Sequence, residues 1–560
     1  MMNNLKVQNQ PKKLTVGRVV NFRPAFTFAL FLIFGIIIAY VQTVQERSVW
    51  WLMLLALVAP LPFFFLVKKK LRFFIYLAVL YSAFAIGLFS FSFRVSNYVD
   101  ANHYSGVHTV TGTVVDISST TQGEQVVLDN LVINGVKERG TLTLVLRDGS
   151  GYSVRHCDRI QLDCTLSTSA VVEGKYGFRA EAIADRSLYR ANKLTDLKII
   201  DFDFRLGAYL RGEICSTVTA CMGEESAAVA TAMLLGNTSG IEEGLLENVR
   251  YGGIAHIFAV SGLHIGCVFA VCLFFLRRNR IPAPVRFLIV AASLLLYGGI
   301  CGYSASVVRA IVTCLITYGC SLIGIKYDSL ESLSLAACVV LIIYPTLLFG
   351  AGMQLSFAAC AGILLLSRHM GKAFSSAGNG IADFIEYKIF RHPKPRQKDM
   401  FHGNTLPKPL SRQAIEAFGS FMAVSLSAQL GTLPILYVRF GYLSLVSVGL
   451  NVLFVPLVSA CFAALLVLVL LACLLPAEWG TVLLYVPDTL LHAVMLPFHA
   501  ADFWGGAVRS VAFETEATIC YYTGLVFCTD KLNFSKWHKR LFALFFLTAF
   551  ALCLIVASLM

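Results

Sequence analysis

Uninterrupted apolar runs of membrane-spanning length recur along most of this chain. Three come first, at about 25–44, 49–67 and 73–93. Ten more follow a polar region, at about 254–276, 284–302, 306–325, 332–349, 353–367, 414–433, 442–475, 480–499, 515–528 and 541–559. A helix needs about 20 apolar residues to cross a bilayer, so each run predicts one membrane helix. The run 442–475 is longer, and we interpret it as one broken or re-entrant passage near Pro456.

The region 104–204 has a different pattern, in which apolar and polar residues alternate. Five stretches show this alternation, and turn-forming pairs such as Asn134-Gly135 separate them: 107–117, 125–133, 141–147, 159–166 and 178–189. Alternation with period two is typical of strands that bury one face. Five short strands within about a hundred residues predict a small β-barrel or sandwich. The next residues, 205–250, have helical patterns that are only half apolar, which predicts amphipathic helices at the membrane interface.

The composition is that of a multi-pass membrane protein, with 57% hydrophobic residues, 14% charged residues and a mean hydropathy of +0.70. The net charge of +13 is concentrated in two regions: 1–103 has eleven basic and two acidic residues, and 368–412 has nine and three. Basic segments beside membrane helices face the cytoplasm. The N-terminus and the loop 368–412 are therefore predicted to be cytoplasmic and the domain 104–204 extracytoplasmic. No cleavable signal peptide is evident, so the first run is interpreted as a retained span.

A short intramembrane segment carries polar residues that an ordinary membrane anchor would not need. Residues 253–266, GIAHIFAVSGLHIG, place His256, Ser261 and His264 at helical spacings in an apolar run. Such groups are costly in hydrocarbon unless they face a bundle interior or a hydrated cavity. We predict that they share a hydrated interior with polar residues of later runs, which are Tyr303, Ser306, Arg309, Gln354, Ser356 and Gln429. Isolated helix-to-helix hydrogen bonds and, for Arg309, a snorkelling position at the interface are the alternative interpretations.

Glycines beside these residues predict interruptions of the helices. They are Gly298, Gly299, Gly302, Gly350 and Gly352. Non-helical backbone at membrane depth survives only where protein or water solvates it, which fits a hydrated interior. Ordinary tight turns between short spans are the alternative.

The residue spacings that mark several other kinds of site do not occur in this sequence. No Cys-x-x-Cys pair or Cys/His group with zinc spacing occurs, so we predict no metal and no cofactor. Ser261 and His264 could form a hydrogen bond, but no acidic residue near them would orient a hydrolase pair. No P-loop, dinucleotide-binding turn or nucleophile elbow is present. We therefore assign no catalytic residues, and an intramembrane hydrolase is the least favoured alternative. Cys157 and Cys164 would form a disulfide only if a turn lay between them.

Six blocks of the sequence resemble the ComEC family of competence proteins, in that family's order and spacing. They are MLLGNTSGI (233–241), AHIFAVSGLHIG (255–266), GYSASVVRA (302–310), KYDSLESLSLAA (326–337), YPTLLFGAGMQLSFAACAGI (344–363) and SLSAQLGTLPILYVRFG (425–441). The resemblance covers about 233–500. Residues 25–200 are similar to the N-terminal part of that family, in which a few spans accompany an OB-like domain.

The patterns and the resemblance together predict a polytopic α-helical membrane protein with an inserted extracytoplasmic small β-barrel (OB-like) domain. The predicted parts are a cytoplasmic basic tail (1–24), three N-terminal transmembrane helices (25–93), the OB-like domain (104–204), amphipathic interfacial helices (205–250), a transmembrane channel core (251–500) with the cytoplasmic loop 368–412, and C-terminal transmembrane helices (501–560).

In the ComEC family the membrane core is understood to be the channel that moves single-stranded DNA into the cytoplasm during natural transformation. The resemblance implies the same role in the cytoplasmic membrane for this chain, with the polar residues above lining the DNA path. Residues of the outer domain that could stack on bases or contact phosphates are Arg147, Tyr152, Lys175, Tyr176, Phe178 and Arg179. A transporter of another polar or anionic solute is the alternative.

The chain departs from many members of that family in one respect. Those members carry a metallo-β-lactamase-like domain with the motif H-x-H-x-D-H, which does not occur here. The resemblance therefore implies a channel without a nuclease. The expected partners are single-stranded DNA, membrane lipids, a separate cytoplasmic DNA motor and a separate nuclease.

Overall fold

The architecture is that of a helical membrane protein with an inserted β-barrel, as seen in a computed structural model. The structure describes residues 24–44, 71–99, 104, 106–120, 123–138, 140–147, 152–168, 187–277, 281–325, 328–383, 410–444, 446–499, 507–509 and 515–527, and six residues between 541 and 548. The predicted span 49–67 and most of the span 541–559 lie outside these residues.

The described helices follow the apolar runs closely. They are α1 (Pro24–Val44), α2 (Leu71–Val99), α3 (Leu206–Cys221), α4 (Glu224–Leu235), α5 (Glu243–Tyr251), α6 (Gly262–Arg277), α7 (Ala283–Ile300), α8 (Ala305–Leu322), α9 (Ser329–Ile343), α10 (Ala351–Asp383), α11 (Leu410–Phe440), α12 (Ser447–Ala472), α13 (Ala477–His499) and α14 (Thr515–Phe527). Two 3-10 turns, Ala255–Ile257 and Pro345–Phe349, precede α6 and α10.

Eight of the described helices are long and apolar enough to cross a membrane: α1, α2, α7, α8, α10, α11, α12 and α13. The passage after residue 442 is a single one, as predicted, but it is not broken. Helix α12 continues through Pro456 for 26 residues, about 39 Å, which spans a bilayer with some tilt. The part of the long apolar run before Ser447 contains the short strand β7 (Tyr442–Ser444), which pairs with β8 (Ala507–Arg509).

Glycines allow two pairs of helices to pack closely. Helices α10 and α11 cross where Gly362 meets Gly431, and a β-carbon at Gly431 would lie 2.5 Å from the Ala358 carbonyl oxygen. Helices α1 and α2 cross in the same way at Gly35 and Gly87. Small residues at such crossings let backbones approach closely, which drives helix association in lipid.

The domain 104–204 is a closed five-stranded barrel. Its strands are β1 (Gly106–Thr120), β2 (Gly123–Ile133), β4 (Thr141–Leu146), β5 (Asp158–Thr168) and β6 (Ser187–Phe202), and the two-residue strand β3 (Val136–Lys137) pairs antiparallel with the end of β2. The order around the barrel is β1-β2-β4-β6-β5-β1. Only β4 and β6 are parallel. A five-stranded barrel of this order is the OB-fold arrangement, as the resemblance implied.

The barrel core consists of the residues that alternation predicts to point inward. Strand β4 alternates strictly between buried and half-buried residues, and Val110, Val126 and Leu162 are almost fully buried. The turn Asn134-Gly135 has positive φ at both residues, the conformation that two-residue hairpins favour. Cys157 and Cys164 are both buried free thiols.

The predicted fifth strand ends too early. The structure has β6 at Ser187–Phe202, so the predicted stretch 178–189 overlaps only its first residues, and 178–186 lie outside the described residues. The cause is the exposure of β6: Tyr189 and Leu197 are buried, but most of the strand faces outward and carries Lys, Arg and Asp. Three register shifts against β5 weaken the period-two signal further.

Helix α4 also differs from its prediction as an amphipathic interfacial helix. Eight of its twelve residues are buried, including Met233, Leu234 and Leu235. They belong to one apolar cluster with residues of α6, α7, α12 and α13. Helix α4 is therefore a buried central element of the membrane core.

Candidate functional site

The segment between α5 and α6 contains only the 3-10 turn Ala255–Ile257 and no α-helix, although its sequence predicted the start of a membrane helix. Helix α6 begins at Gly262, so the predicted helical run from 254 was wrong in its first two turns. Gly253 has a φ of +73° and packs on Ser444 and Ser447, where a side chain would collide with the Ser447 β-carbon. The glycine thus lets residues 252–261 turn inward. We call these residues the re-entrant segment.

The re-entrant segment presents two faces. Ile254, Ile257 and Phe258 are buried in the apolar cluster of the membrane core. His256 and Ala259 are exposed. That His256 lines a hydrated interior stays a prediction.

Ser261 and His264 close the first turn of α6. The Ser261 amide N–H donates to His264 Nδ1 at 3.0 Å, and the Leu263 N–H donates to Ser261 Oγ at 3.3 Å. This is a capping box in which an imidazole takes the place of the usual Glu or Gln. Ser261 Oγ is also 3.1 Å from His264 Nδ1. The contact that a hydrolase would need therefore exists, but the helix cap explains it.

The opposite edge of the imidazole is sealed in the core. His264 is 1% exposed, and its ring meets Phe462 edge-on with centroids 4.4 Å apart. Its Nε2 has no hydrogen-bond partner among the described residues.

Arg309 lies beside this cap. It is the fifth residue of α8 and is 8% exposed. Its Nε donates to Ser356 Oγ at 2.8 Å and its Nη1 to Cys360 Sγ at 3.0 Å, both on α10. A β-carbon at Gly262 would lie 2.9 Å from Nη2, so the absence of a side chain there makes room for the guanidinium. No described Asp or Glu lies within ion-pair distance of Arg309.

Gln429 forms a second polar group with the other end of the re-entrant segment. Its Nε2 donates to the Ser444 carbonyl at 2.7 Å, and Ser447 Oγ donates to the same oxygen at 2.9 Å. Gly253 packs against these two serines. The re-entrant segment therefore runs from the Gln429 group to the Arg309 group.

The other predicted residues of the path have local partners near helix ends. Gln354 Nε2 donates to the Leu348 carbonyl at 3.0 Å, and Ser306 Oγ lies 3.5 Å from the Gly352 carbonyl. The Tyr303 phenol donates to the Leu295 carbonyl at 2.8 Å. The structure thus brings together Ser261, His264, Arg309 and Ser356, and it does not join Tyr303, Ser306 or Gln354 to them.

The predicted glycine breaks have a different structural basis. Gly298 and Gly299 lie inside α7, which continues to Ile300, so the prediction of an interruption there was wrong. A β-carbon at Gly298 would lie 2.8 Å from the Tyr303 ring, and one at Gly207 of α3 would lie 3.1 Å from the Gly299 carbonyl oxygen. These glycines make room for neighbours rather than for water. Gly302, with a φ of +78°, does form a turn.

The outer-domain residues are only partly described. Arg147 and Tyr152 are exposed. Lys175, Tyr176, Phe178 and Arg179 lie outside the described residues. Their role in contacting DNA stays a prediction.

Arg211, which the sequence analysis did not select, joins the barrel to the membrane core. It is 9% exposed, and its guanidinium bonds to both carboxylate oxygens of Asp116 on β1, at 2.8 and 3.2 Å. Its Nη1 also donates to the carbonyls of Leu235 and Ile300, each at 3.1 Å, at the ends of α4 and α7. A register shift between Val114 and Asp116 lies beside this carboxylate. The signal that could have found Arg211 is its isolation as the one basic residue of 206–222.

His156 packs against the same ion pair from the barrel side. A β-carbon at Gly212 would lie 3.0 Å from its Nδ1, and its Nε2 is buried with no partner among the described residues. Burial lowers the pKa of His156. The carboxylates of Asp116 and Asp158 act to raise this pKa, and the Arg211 guanidinium acts to lower it.

Comparison with known proteins is consistent with this architecture. The family described as competence protein matches residues 233–529, more than half of the 560. ComE operon protein 3 of Bacillus subtilis (strain 168) is 28% identical over 252 residues, which are 45% of this chain and 27% of that protein. The match therefore spans about a quarter of the relative's length. No solved structure matches the chain at a significant level. The family match confirms the predicted resemblance, and this chain belongs to the ComEC family of competence proteins.

Proposed function

We propose that the membrane core of this chain conducts single-stranded DNA into the cytoplasm during DNA uptake. The observation that carries the proposal is the buried guanidinium of Arg309, which faces no described carboxylate and lies beside the start of α6. An uncompensated cation inside a membrane is costly, so an anionic partner would stabilise it. A DNA strand offers one phosphate per nucleotide.

The re-entrant segment supports this role. Helix α6 has 16 residues, about 24 Å, and is too short to cross a hydrocarbon core of about 30 Å by itself. Its positive N-terminal end lies beside Arg309, and helix N-termini favour anions. His256 and Ala259 of the re-entrant segment are exposed, and the proposal assigns both to the DNA path.

Contacts between helix ends support the orientation. The Ala25 N–H at the start of α1 donates to Glu331 Oε2 at the start of α9, at 2.9 Å. Arg94, near the end of α2, lies over the Tyr344 ring that follows α9, 4.7 Å from its centroid. These three helices therefore run in the same direction, and the barrel follows α2 on the side opposite the start of α1. With the basic N-terminal tail in the cytoplasm, the barrel is outside.

The proposal leaves energy supply and strand degradation to other proteins. A separate cytoplasmic motor would pull the strand, and a separate nuclease would remove its complement. The Ser261–His264 contact serves as a helix cap, so we assign no reaction to it.

The test is uptake of labelled DNA by a naturally transformable strain in which this chain replaces the endogenous one. Arg309→Gln should lower internalised DNA about tenfold or more, the effect of losing one charge-assisted hydrogen bond of about 1.4 kcal/mol. Arg309→Lys should retain part of the activity because it keeps the charge. The matched control is Arg439→Gln, since Arg439 is exposed and donates to the Phe349 carbonyl near a helix end. All variants are compared at equal membrane levels.

Photo-crosslinking gives an independent readout of the path. A benzoylphenylalanine at Ala259, an exposed position of the re-entrant segment, should form adducts with DNA during uptake. The same probe at Leu288, 65% exposed on the outside of α7, should not. Normal uptake by Arg309→Gln, or equal adducts at both positions, would contradict the proposal. If Arg309→Gln abolished the transport of a small anionic solute and left DNA uptake unchanged, the alternative function as a transporter would be favoured.

A further inference from the structure

At the junction between β6 and α3, large apolar side chains are exposed on the surface of the protein. Phe202, Phe204 and Leu206 are 53%, 59% and 50% exposed. Tyr209, in the first turn of α3, is 40% exposed, and its ring centroid lies 5.5 Å from that of Phe204. We call these four residues the junction patch. Apolar residues on the outside of a barrel that faced only water would normally be replaced by polar ones.

The charged residues between them point the other way. Asp203 accepts a hydrogen bond from Thr113 Oγ1 at 2.8 Å. Arg205 forms an ion pair with Asp129 at 2.8 Å and a second with Asp203 at 3.4 Å. Asp203 and Arg205, the two charged residues within the patch, are therefore paired with groups of the barrel or with each other, and the apolar side chains are left outermost.

The junction patch lies at the end of a membrane-crossing helix. Gly207, between Leu206 and Tyr209, packs directly on the carbonyl of Gly299 in the last turn of α7. The outer surface of α7 is apolar and exposed at Leu295 and Leu296. The junction patch thus continues the lipid-facing surface of α7 beyond its end.

Tyr303 adds an amphipathic aromatic residue at the same level. It is 45% exposed, its ring packs on Gly298 of α7, and its hydroxyl is bonded to the Leu295 carbonyl. Tyrosine and other aromatic residues are enriched where membrane helices leave the hydrocarbon, because their rings suit the headgroup region. The level of Gly299 is therefore suited to the lipid–water boundary.

We infer that the junction patch inserts into the outer lipid–water interface, so that the barrel rests on the bilayer as well as on the helices. The occupant is lipid because the patch continues a lipid-facing helix surface and its charges are paired on the protein side. The contact would hold the barrel at a fixed height and tilt above the membrane. This inference is independent of what the core conducts.

The experiment uses the full chain in liposomes of phosphatidylethanolamine and phosphatidylglycerol. Benzoylphenylalanine replaces Phe202 or Phe204, a conservative change of one aromatic residue for another. The matched control position is Lys193, exposed on the same strand nine residues before Phe202. After irradiation, mass spectrometry should find about tenfold more lipid adducts at 202 and 204 than at 193, as expected for a residue held in the interface.

Equal lipid adducts at the three positions would overturn the inference. Adducts that join the patch mainly to a protein, when the probes are irradiated in cells, would also overturn it and would identify the patch as a protein-binding surface. As a second measurement, Phe204→Glu should increase protease sensitivity of the barrel in liposomes several-fold more than in detergent. An equal increase in both would indicate a purely structural role and contradict lipid contact.

Discussion

Arg211 and Asp116 form a two-point ion pair that fastens the barrel to the membrane helices. The pair is formed by Nε and Nη2 at 2.8 and 3.2 Å, and its side chains are 11% and 33% exposed. The same guanidinium satisfies carbonyls at the ends of α4 and α7. The Arg211 side chain thus contacts β1, α4 and α7, which are far apart in the sequence. These contacts fix the position of the barrel relative to the membrane helices.

Arg211→Gln should destabilise the protein by about 2–4 kcal/mol, because it leaves a carboxylate and two helix-end carbonyls without their charged donor. The measurement is the free energy of unfolding of the purified chain, with hydrogen exchange of β1 as a local readout. The matched control is Lys198→Gln. Lys198 pairs with Asp196, but the side chains are 73% and 46% exposed, so the loss of this pair should leave the free energy of unfolding nearly unchanged. Similar losses for both variants would contradict the special role of Arg211.

His156 should make the stability of the chain fall on acidification. Burial holds its pKa below the ordinary value, so the unfolded chain binds a proton more readily than the folded one. The stabilisation is complete above the unfolded pKa of about 6.5 and is lost as pH falls from there through the folded pKa. His156→Gln should remove this part of the pH dependence. The measurement is the unfolding free energy of both chains at several pH values, and parallel curves would refute the prediction.

The crossing of α10 and α11 should tolerate no side chain at Gly431. Its added β-carbon would lie 2.5 Å from the Ala358 carbonyl oxygen and 3.0 Å from the Gly362 α-carbon, so Gly431→Ala should cost about 1–3 kcal/mol through overpacking. Gly266→Ala in α6 is the control, because nothing lies within 4 Å of that position. Thermal unfolding in detergent compares the two. Equal stability would mean that the helices separate without cost.

Variants of His264 distinguish a helix cap from a DNA contact. His264→Ala should destabilise the chain by about 0.5–2 kcal/mol, because the Ser261 N–H loses its acceptor. His264→Gln should retain most of that stability, since Gln accepts the same bond in ordinary capping boxes. If His264 served only the passing strand, both variants would reduce uptake equally at unchanged stability. Unfolding and uptake are therefore measured on the same preparations.

Sequence periodicity predicted the elements whose burial is regular. Strands β1, β2, β4 and β5 and most membrane helices were found near their predicted positions, because each buries one face or is apolar throughout. Strand β6 was missed over most of its length because its outer face is charged and its register shifts three times. Regular burial leaves a readable period, whereas an exposed and irregular strand does not.

The start of α6 shows where apolar composition stops being informative. The re-entrant segment is as apolar as a membrane helix, so hydropathy cannot distinguish this segment from the helix that follows it. The local chemistry could have: Gly252 and Gly253 permit the turn, and the Ser-x-x-His spacing of Ser261 and His264 marks a helix N-terminus.

The sequence predicted only some of the residues of the candidate site. Polar residues in apolar runs identified Arg309, Ser356, Ser261 and His264, which the structure brings together. Arg211 and Asp116 were missed because their pairing depends on contacts between residues 95 positions apart, which spacing along one element cannot reveal.

The bonds of Arg211 also order events during synthesis. Asp116 precedes it by 95 residues and Ile300 follows it by 89. At about 5–20 residues per second, the ribosome needs about 4–18 seconds after the arginine itself to produce Ile300, the last of its acceptors along the chain. The barrel can fold in that interval, but Arg211 cannot form its bond to the Ile300 carbonyl until the end of α7 has been inserted. Its complete attachment is therefore a late step of biogenesis, and a newly folded barrel spends several seconds tethered but not fully docked on the membrane helices.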